Sequence, residues 1–253
     1  MLKDLRLNSQ MYRRVYKNYL RFIQPMTNAI YNRQVSRFRA QRLPSENLDL
    51  IITDQRDQFT ATTDQIRHIS LRILRCFDYL SQKHNFQYFL AYGSLLGAVR
   101  HQGFIPWDDD LDIMMLPQDF SRFKQICTEL PESLHLVRRD RGFWKVMDRH
   151  SIISKDGRRG IALDIFVAET YHDHFFFTNV HNQQPILFST SDLLPLQKLA
   201  FERELQLPCP ANPAFFLKAL YGDFMQLPPE SERVFPHLGS KVKIGTFGGP
   251  PLN

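Results

Sequence analysis

Four carboxylates lie within five consecutive positions of the chain, in the sequence Asp108-Asp109-Asp110-Leu111-Asp112, with no basic residue among them. Acids placed side by side and partly buried repel one another, and their pKa values rise unless a cation is present. Asp110 and Asp112 lie where apolar residues predict the start of a strand, so they share one face, about 6–7 Å apart along the backbone. Such a pair can bind one or two Mg²⁺ ions together with phosphate oxygens. A solvated acidic turn is the alternative for this run taken alone.

A Gly-Ser pair upstream favours the metal interpretation. Gly93 and Ser94 lie where a strand candidate ends and a short helix begins. Backbone amides and a hydroxyl at such a position can hold a phosphate. Most Gly-Ser pairs are only turns, so the pair is weak evidence by itself. A strand, Gly-Ser, a short helix and then Asp-x-Asp on the next strand form a much more specific pattern.

Asp164 is the candidate for a third acid from a separate strand. It lies in the apolar sequence Ile-Ala-Leu-Asp-Ile-Phe-Val at residues 161–167. A carboxylate inside an apolar strand is costly unless it is paired or bound to a metal. The alternative is an Asp at a strand edge that faces water. Asp110, Asp112 and Asp164 are therefore the predicted catalytic and metal-binding residues.

The residues around the acids predict the elements that position them. Apolar residues at helical spacing predict a helix capped by Thr63 or Asp64 that ends near residue 82. Further helices are predicted over residues 94–101, from Pro117, and from Asn212 to Gly222. Strand candidates cover residues 86–92, 111–116, 134–137, 143–147, 161–167, 175–180 and 186–189. Helices and strands are mixed without strict βαβ repetition, so the predicted class is α+β, a mixed sheet flanked by helices.

Positive charge is concentrated at the N-terminus. Residues 1–42 contain ten Lys or Arg and one acid, a net charge of +9, and because the whole chain is +6, residues 43–253 carry −3. Aromatic and apolar residues at helical spacing over residues 11–24, and again after Pro25, predict basic helices. We therefore divide the chain into a basic helical arm and linker (1–60), a catalytic domain (61–237) and a loose tail (238–253).

Cysteine usage and hydropathy predict the compartment. The three cysteines are far apart and form no CxxC pair, which favours reduced thiols and a reducing compartment. The sequence shows no secretory signal and no apolar run of the roughly 20 residues that a spanning helix needs. A cytoplasmic protein is expected.

The chain resembles the LicD family, a branch of the nucleotidyltransferase-fold superfamily that includes the fukutin-related proteins. The resemblance rests first on residues 92–113, which read Tyr-Gly-Ser-Leu-Leu-Gly-Ala-Val-Arg-His-Gln-Gly-Phe-Ile-Pro-Trp-Asp-Asp-Asp-Leu-Asp-Ile. It continues through Leu-Asp-Ile-Phe at 163–166, Pro-Leu-Gln-Lys at 195–198, and the segment from Tyr221 to Glu230. In all it covers roughly residues 60–237. Many members have Gly-Thr where this sequence has Gly93-Ser94, so a hydroxyl is kept.

The resemblance implies a metal-dependent phosphotransferase. Such an enzyme would move a substituted phosphate, phosphocholine or a similar group, from a CDP-linked donor to a hydroxyl of a cell-surface glycan of the lipopolysaccharide or teichoic acid type. Other members handle ribitol phosphate or related polyol phosphates. By analogy, Asp110 and Asp112 would be ligands of Mg²⁺ or Mn²⁺, and Asp164 a third ligand or the general base. The transferred group, the acceptor sugar and the oligomeric state are not fixed by the sequence.

Further residues are candidates for binding the substrate, beside Gly93 and Ser94. Arg100 and Lys145 are predicted to clamp the diphosphate, because a guanidinium fork matches phosphate oxygens. Arg100 has the alternative of a surface position on a helix, and Lys145 that of extending from its strand to solvent. Trp107 could stack on a base or pack beneath the acidic loop.

The basic arm leaves other functions open. Residues 1–42 could lie on an anionic membrane surface at the cytoplasmic leaflet, or their aromatic stripe could pack on the body or on a partner helix. A nucleotidyltransferase that moves the nucleotide itself would use the same carboxylates. A non-catalytic protein whose arm binds nucleic acid is disfavoured, because all three expected acids are present, and no nucleic acid partner is expected.

Overall fold

The computed structural model describes Leu48 and residues 52–139, 143–152, 160–171, 174–178, 185–203, 205–236, 242–246 and 249–252. The chain divides into two compact units, Met1–Glu46 and Asn47–Asn253, and every described residue belongs to the second. The predicted helices of the basic arm therefore lie outside the described residues.

Helices and strands are mixed along the described chain. The helices are α1 (Thr62–His84), α2 (Tyr92–His101), α3 (Pro117–Ile126), α4 (Thr190–Leu193) and α5 (Pro213–Tyr221). The strands are β1 (Phe89–Leu90), β2 (Leu111–Met115), β3 (Leu134–Arg138), β4 (Trp144–Asp148), β5 (Ser151–Ile152), β6 (Ala162–Val167), β7 (Glu169–Tyr171), β8 (His174–Thr178), β9 (Pro185–Ser189), β10 (Gln197–Phe201), β11 (Leu205–Cys209) and β12 (Lys243–Ile244).

The central sheet is mixed. Its five strands lie in the order β1-β2-β6-β4-β3, with β6 parallel to β2 and antiparallel to β4. Helix α1 packs on β4 and β6, and helix α2 packs on β2. A mixed sheet flanked by helices confirms the predicted α+β class. Three smaller sheets, β7-β8-β9, β10-β11 and β5-β12, surround it.

Helix α1 covers one side of the sheet because its apolar residues recur at helical spacing. Ile69, Ile73, Phe77 and Leu80 are fully buried in this stripe. The predicted cap was wrong, since the N-cap residue is Ala61, whose side chain makes no capping hydrogen bond. The helix ends at a left-handed Asn85 rather than near residue 82, and the following residues turn back toward the sheet.

Strand β1 is much shorter than the predicted strand over residues 86–92. Ser81 Oγ donates to the Phe86 carbonyl, and Phe86 N–H donates to the Ser81 carbonyl, so this residue stays tied to the end of α1. The rings of Phe86 and Tyr88 pack edge-on against Phe77 of α1. Tyr92 already begins helix α2, and only Phe89 and Leu90 pair with β2.

Residues 52–58 belong to the folded body, although the sequence predicted a polar linker there. Arg56 Nη1 and Nη2 donate to the two carboxylate oxygens of Asp148 at 2.9 and 2.6 Å, and Nη2 donates to Asp54 Oδ2 at 2.6 Å. Arg72 of helix α1 lies 3.7 Å from Asp54 and donates to Ser133 Oγ. We call Asp54, Arg56, Arg72 and Asp148 the ion network. It fastens this segment to the sheet, an arrangement that polar composition alone does not reveal.

Part of the predicted loose tail is held by the body. Lys243–Ile244 pairs with Ser151–Ile152, and Gly245 N–H donates to the His150 carbonyl at 2.7 Å. Among the described residues, no helix combines the length and the apolar character needed to cross a membrane.

Candidate active site

A row of three charged side chains crosses the centre of the main sheet. Asp112 of β2 lies directly opposite Asp164 of β6 in the parallel pair, and Asp164 lies directly opposite Lys145 of β4 in the antiparallel pair. Side chains at opposite positions of paired strands lie on the same face of a sheet. The sequence predicted the two acids on separate strands, and the register brings them together.

Asp110 completes a group of three acids. It immediately precedes β2, and ligand oxygens of Asp110, Asp112 and Asp164 all lie within 4.8 Å of one another. Asp108 and Asp109 join Asp110 in a second group of the same kind. We call these five residues the acid cluster. Carboxylate oxygens are the ligands that Mg²⁺ and Mn²⁺ prefer, so the donor set fits either ion.

Burial and neighbouring acids raise the pKa values of Asp112 and Asp108. The pKa of Asp112 lies well above its usual range, because the carboxyl is buried and because Asp110, Asp164 and Asp108 lie nearby, while Lys145 acts in the opposite direction. Burial, and then the charge of Asp110, raises the pKa of Asp108 to about 8. Acids in such surroundings are stabilised by a bound cation.

Gly93 and Ser94 hold Asp112 in place. Gly93 N–H donates to Asp112 Oδ2 at 3.2 Å, and Ser94 Oγ accepts from the Asp112 backbone N–H at 2.7 Å. A Cβ at Gly93 would lie 2.8 Å from Asp108 Oδ2, so only glycine allows the acids this close to the helix. Gly93 is the second residue of α2, not part of a turn before it. The predicted phosphate contacts of the pair stay predictions.

Lys145 is paired with Asp164. Its Nζ lies 2.7 Å from Oδ2 and 2.6 Å from Oδ1, and it also lies 5.6 Å from the centre of the Phe143 ring. The lysine side chain is 14% exposed and that of Asp164 is 9% exposed. The alternative of a lysine that extends to solvent is therefore wrong, because the ammonium turns toward the buried acid.

Arg100 and Trp107 face the segment that follows α5. Arg100 Nη1 donates to the Phe224 carbonyl at 2.8 Å, so the guanidinium joins the end of α2 to that segment. The Trp107 ring meets His101 edge-on, and the Arg233 guanidinium lies 5.3 Å from the ring centre. The predicted contacts of Arg100 with diphosphate and of Trp107 with a base stay predictions.

Two tyrosines beside the acids were not predicted as site residues. Burial, and then the charge of Asp112, raises the pKa of both Tyr92 and Tyr221 above their usual range. The Tyr92 ring packs 4.5 Å from the Phe166 ring, which stacks on Phe143 at 5.4 Å. A sequence signal was available for both, because Tyr92 and Tyr221 each begin a segment that carries the family resemblance. Their approach to the acids had no local signal, since Tyr221 comes from the distant helix α5.

A comparison with protein families identifies the family of the chain. The family model described as LicD/FKTN/FKRP, nucleotidyltransferase domain, matches residues 85–212, about half of the chain. The matched range includes β1, α2, β2 and β6.

Two curated relatives and one solved structure are similar. An uncharacterised protein of Rickettsia prowazekii is 30% identical over 148 residues, 57% of this chain and 51% of that protein. The lipopolysaccharide cholinephosphotransferase LicD of Haemophilus influenzae is 43% identical over 58 residues, 23% of this chain and 22% of that protein. The chain thus spans about half or less of these relatives. The lincosamide antibiotic adenylyltransferase LnuA, with lincomycin bound, has a TM-score of 0.38 and 14% identity, covering 62% of this chain and 88% of its own.

Proposed function

Because the chain belongs to the LicD/FKTN/FKRP nucleotidyltransferase-domain family, we propose that it transfers a substituted phosphate from a CDP-linked donor to a hydroxyl of a cell-surface glycan. The observation that carries the proposal is the meeting of Asp110, Asp112 and Asp164 from two strands, with their ligand oxygens within 4.8 Å. The similarity to a lipopolysaccharide cholinephosphotransferase makes phosphocholine the first group to test.

In this proposal Asp110, Asp112 and Asp164 hold Mg²⁺ or Mn²⁺. The ion would neutralise charge on the donor's phosphate oxygens and polarise the phosphoryl group under attack. The fit rests on the chemistry of the donor set, which is made of carboxylate oxygens, and on the raised pKa of Asp112, which reflects burial among other acids. The hydrogen bonds of Gly93 and Ser94 hold Asp112 in its position beside the other two acids.

The reaction is an exchange of oxygen atoms at one phosphorus. The acceptor hydroxyl oxygen bonds to the phosphorus that carries the substituent, the bond from that phosphorus to the bridging oxygen breaks, and CMP leaves with the bridging oxygen. The hydroxyl proton passes to a carboxylate of the acid cluster. Positive charge from Lys145 would offset the diphosphate charge, since its Nζ lies on the same face of the sheet.

The test is incubation with a panel of CDP-linked donors and either metal, with CMP release as the measurement. Release from one donor names the transferred group. Asp112→Asn should lower the rate at least a hundredfold, because removing one electrostatic contributor to such a transition state costs on that order. Glu132→Gln, a change at an exposed acid before β3, is the matched control and should keep full activity.

Two results would contradict the proposal. Full activity of Asp112→Asn after chelation and metal repletion would remove the metal assignment. Transfer of the nucleotide half of the donor to the acceptor would instead establish the nucleotidyltransferase alternative. Isotopic labelling of the donor on either side of the diphosphate distinguishes the two transfers.

Peripheral binding to a membrane from the cytoplasmic side stays part of the proposal. It rests on the charge of +9 in residues 1–42. Flotation with anionic liposomes, compared between the full chain and a chain without those residues, measures this contribution. Equal flotation of the two chains would remove it.

A further inference from the structure

Lys145 is bound to the same carboxylate that the proposed metal site needs. Its Nζ lies within 2.7 Å of both oxygens of Asp164, so the ammonium spans the whole carboxylate instead of one corner. Asp164 in turn belongs to the group whose ligand oxygens lie within 4.8 Å of one another. A divalent ion and this ammonium would therefore bind the same oxygen atoms of Asp164.

The sheet fixes this contact. Lys145 is the second residue of β4, and its neighbours Trp144 and Val146 are buried on the opposite side of the strand. Its partner in the register is Asp164 itself. With only 14% and 9% of the two side chains exposed, water and salt screen the attraction weakly. The pair is thus a strong local interaction that any other cation has to overcome.

We propose that Lys145 is a counter-cation that competes with the divalent ion for Asp164 and turns to the diphosphate when the donor binds. This inference rests on the proposed function. A lysine has a long, flexible side chain that carries a compact charge, so it can exchange one anionic partner for another without movement of the strand. The Phe143 ring, 5.6 Å from Nζ, lines one side of the ammonium.

The consequence is that metal and donor bind together. The ammonium lowers the negative charge available to a metal that arrives alone, so that metal binds weakly. A CDP-linked donor brings two phosphates, which can take ligand positions on the metal and can also accept the ammonium. Binding of each partner then removes the competition felt by the other, which is positive coupling between two ligands.

The experiment is calorimetric titration of the full chain with Mn²⁺, first alone and then with CDP present. Two variants remove the charge of Lys145: Lys145→Met, and Lys145→Gln, which keeps a hydrogen-bond donor for Asp164. Both should bind Mn²⁺ alone roughly tenfold or more tightly, because a positive charge that contacts the Asp164 carboxylate is removed. Both should bind CDP, at saturating Mn²⁺, roughly tenfold more weakly, because one charge-assisted contact is lost.

The control is Lys124→Met on helix α3. Lys124 also lies near a Phe ring, 5.3 Å from the centre of Phe120, but it is not part of the row across the sheet. It should leave both affinities unchanged. The opposite signs of the two changes at Lys145 are the decisive result, because a lysine that only supports the fold would weaken both kinds of binding.

Two outcomes overturn the inference. If Asp164→Asn abolishes Mn²⁺ binding while both Lys145 variants bind Mn²⁺ no more tightly than the unchanged protein, the metal site stands and the competition is refuted. If none of the proteins binds Mn²⁺, with or without CDP, both the competition and the proposed metal-dependent function fail.

Discussion

The acid cluster and the ion network are both groups of charged side chains with buried members, and they differ in composition. The ion network sets the two acids Asp54 and Asp148 against Arg56 and Arg72, and the side chains of Asp54, Arg56 and Asp148 are 0% exposed. In the acid cluster, ligand oxygens of Asp110, Asp112 and Asp164 lie within 4.8 Å of one another, and Lys145 pairs with Asp164. The first group joins acids to guanidinium groups, whereas the second brings acids close to other acids.

The pKa directions express this difference. Burial by itself raises the pKa of Asp54, but hydrogen bonds from His68 and Arg56 outweigh it and hold that pKa well below the usual range. In the acid cluster, burial and neighbouring acids act together, and the pKa of Asp112 is raised. A buried charge that the fold compensates is structural, whereas one left to a ligand marks a functional site. This contrast, rather than the number of acids, supports the assignment of the active site.

The strongest test of the comparison is to unbalance the ion network. Arg56→Met should lower the free energy of unfolding by about 3–5 kcal/mol, because it removes the guanidinium that binds the buried carboxylate of Asp148 and one of the two guanidinium groups beside Asp54. Urea unfolding followed by circular dichroism measures the change. Lys218→Met, at an exposed position of α5, is the control and should have little effect. A loss below about 1 kcal/mol for Arg56→Met would show that the network does not depend on its balance.

The second test adds a divalent cation to the acid cluster. Mg²⁺ or Mn²⁺ at a hundred times its dissociation constant should raise the free energy of unfolding by about 2.7 kcal/mol, since it binds the folded chain only. Asp112→Asn should abolish this gain and, in chelator, should be about 1 kcal/mol more stable than the unchanged protein because repulsion is relieved. An equal metal-dependent gain in Asp112→Asn would mean that the ion binds elsewhere.

The smallest expected effect is a pair of opposite pH dependences, measured in chelator. The pKa of Asp108 is raised to about 8 in the folded chain, so the folded chain binds the extra proton and stability should fall as pH rises from about 4 to about 8. The pKa of Asp54 is lowered, so its contribution is complete above about pH 4 and is lost as pH falls further.

For one titrating group, the free energy of unfolding can change by at most about 1.4 kcal/mol per pH unit, with opposite signs in the two pH ranges. Urea unfolding at a series of pH values, with Asp108→Asn for comparison, separates the two. In the variant, the free energy of unfolding should fall less steeply between pH 4 and 8, and its loss below about pH 4 should be unchanged. A steeper fall of the free energy of unfolding between pH 4 and 8 in the variant would contradict the assignment of this pH dependence to the acid cluster.

The ion network also shows what local patterns miss. Arg56 and Asp148 are 92 positions apart, and neither lies in a spacing that predicts a partner. The segment around Arg56 was therefore assigned to a linker on its polar composition. The acid cluster could be predicted because four of its five members lie within five positions, and because an acid in an apolar strand, Asp164, is a signal by itself.

The sequence alone indicated the class of fold, a short helix near Gly93 and Ser94, and the three acids that meet in the candidate site, because each depends on residue types at short and regular spacings. Only the tertiary structure decided what those residues touch. The register of β2, β6 and β4 places Asp112, Asp164 and Lys145 in one row, and a shift of one residue would move any of them to the other face. The contact between Lys145 and Asp164 follows from that register, which is set by strand pairing over distances that no local pattern encodes.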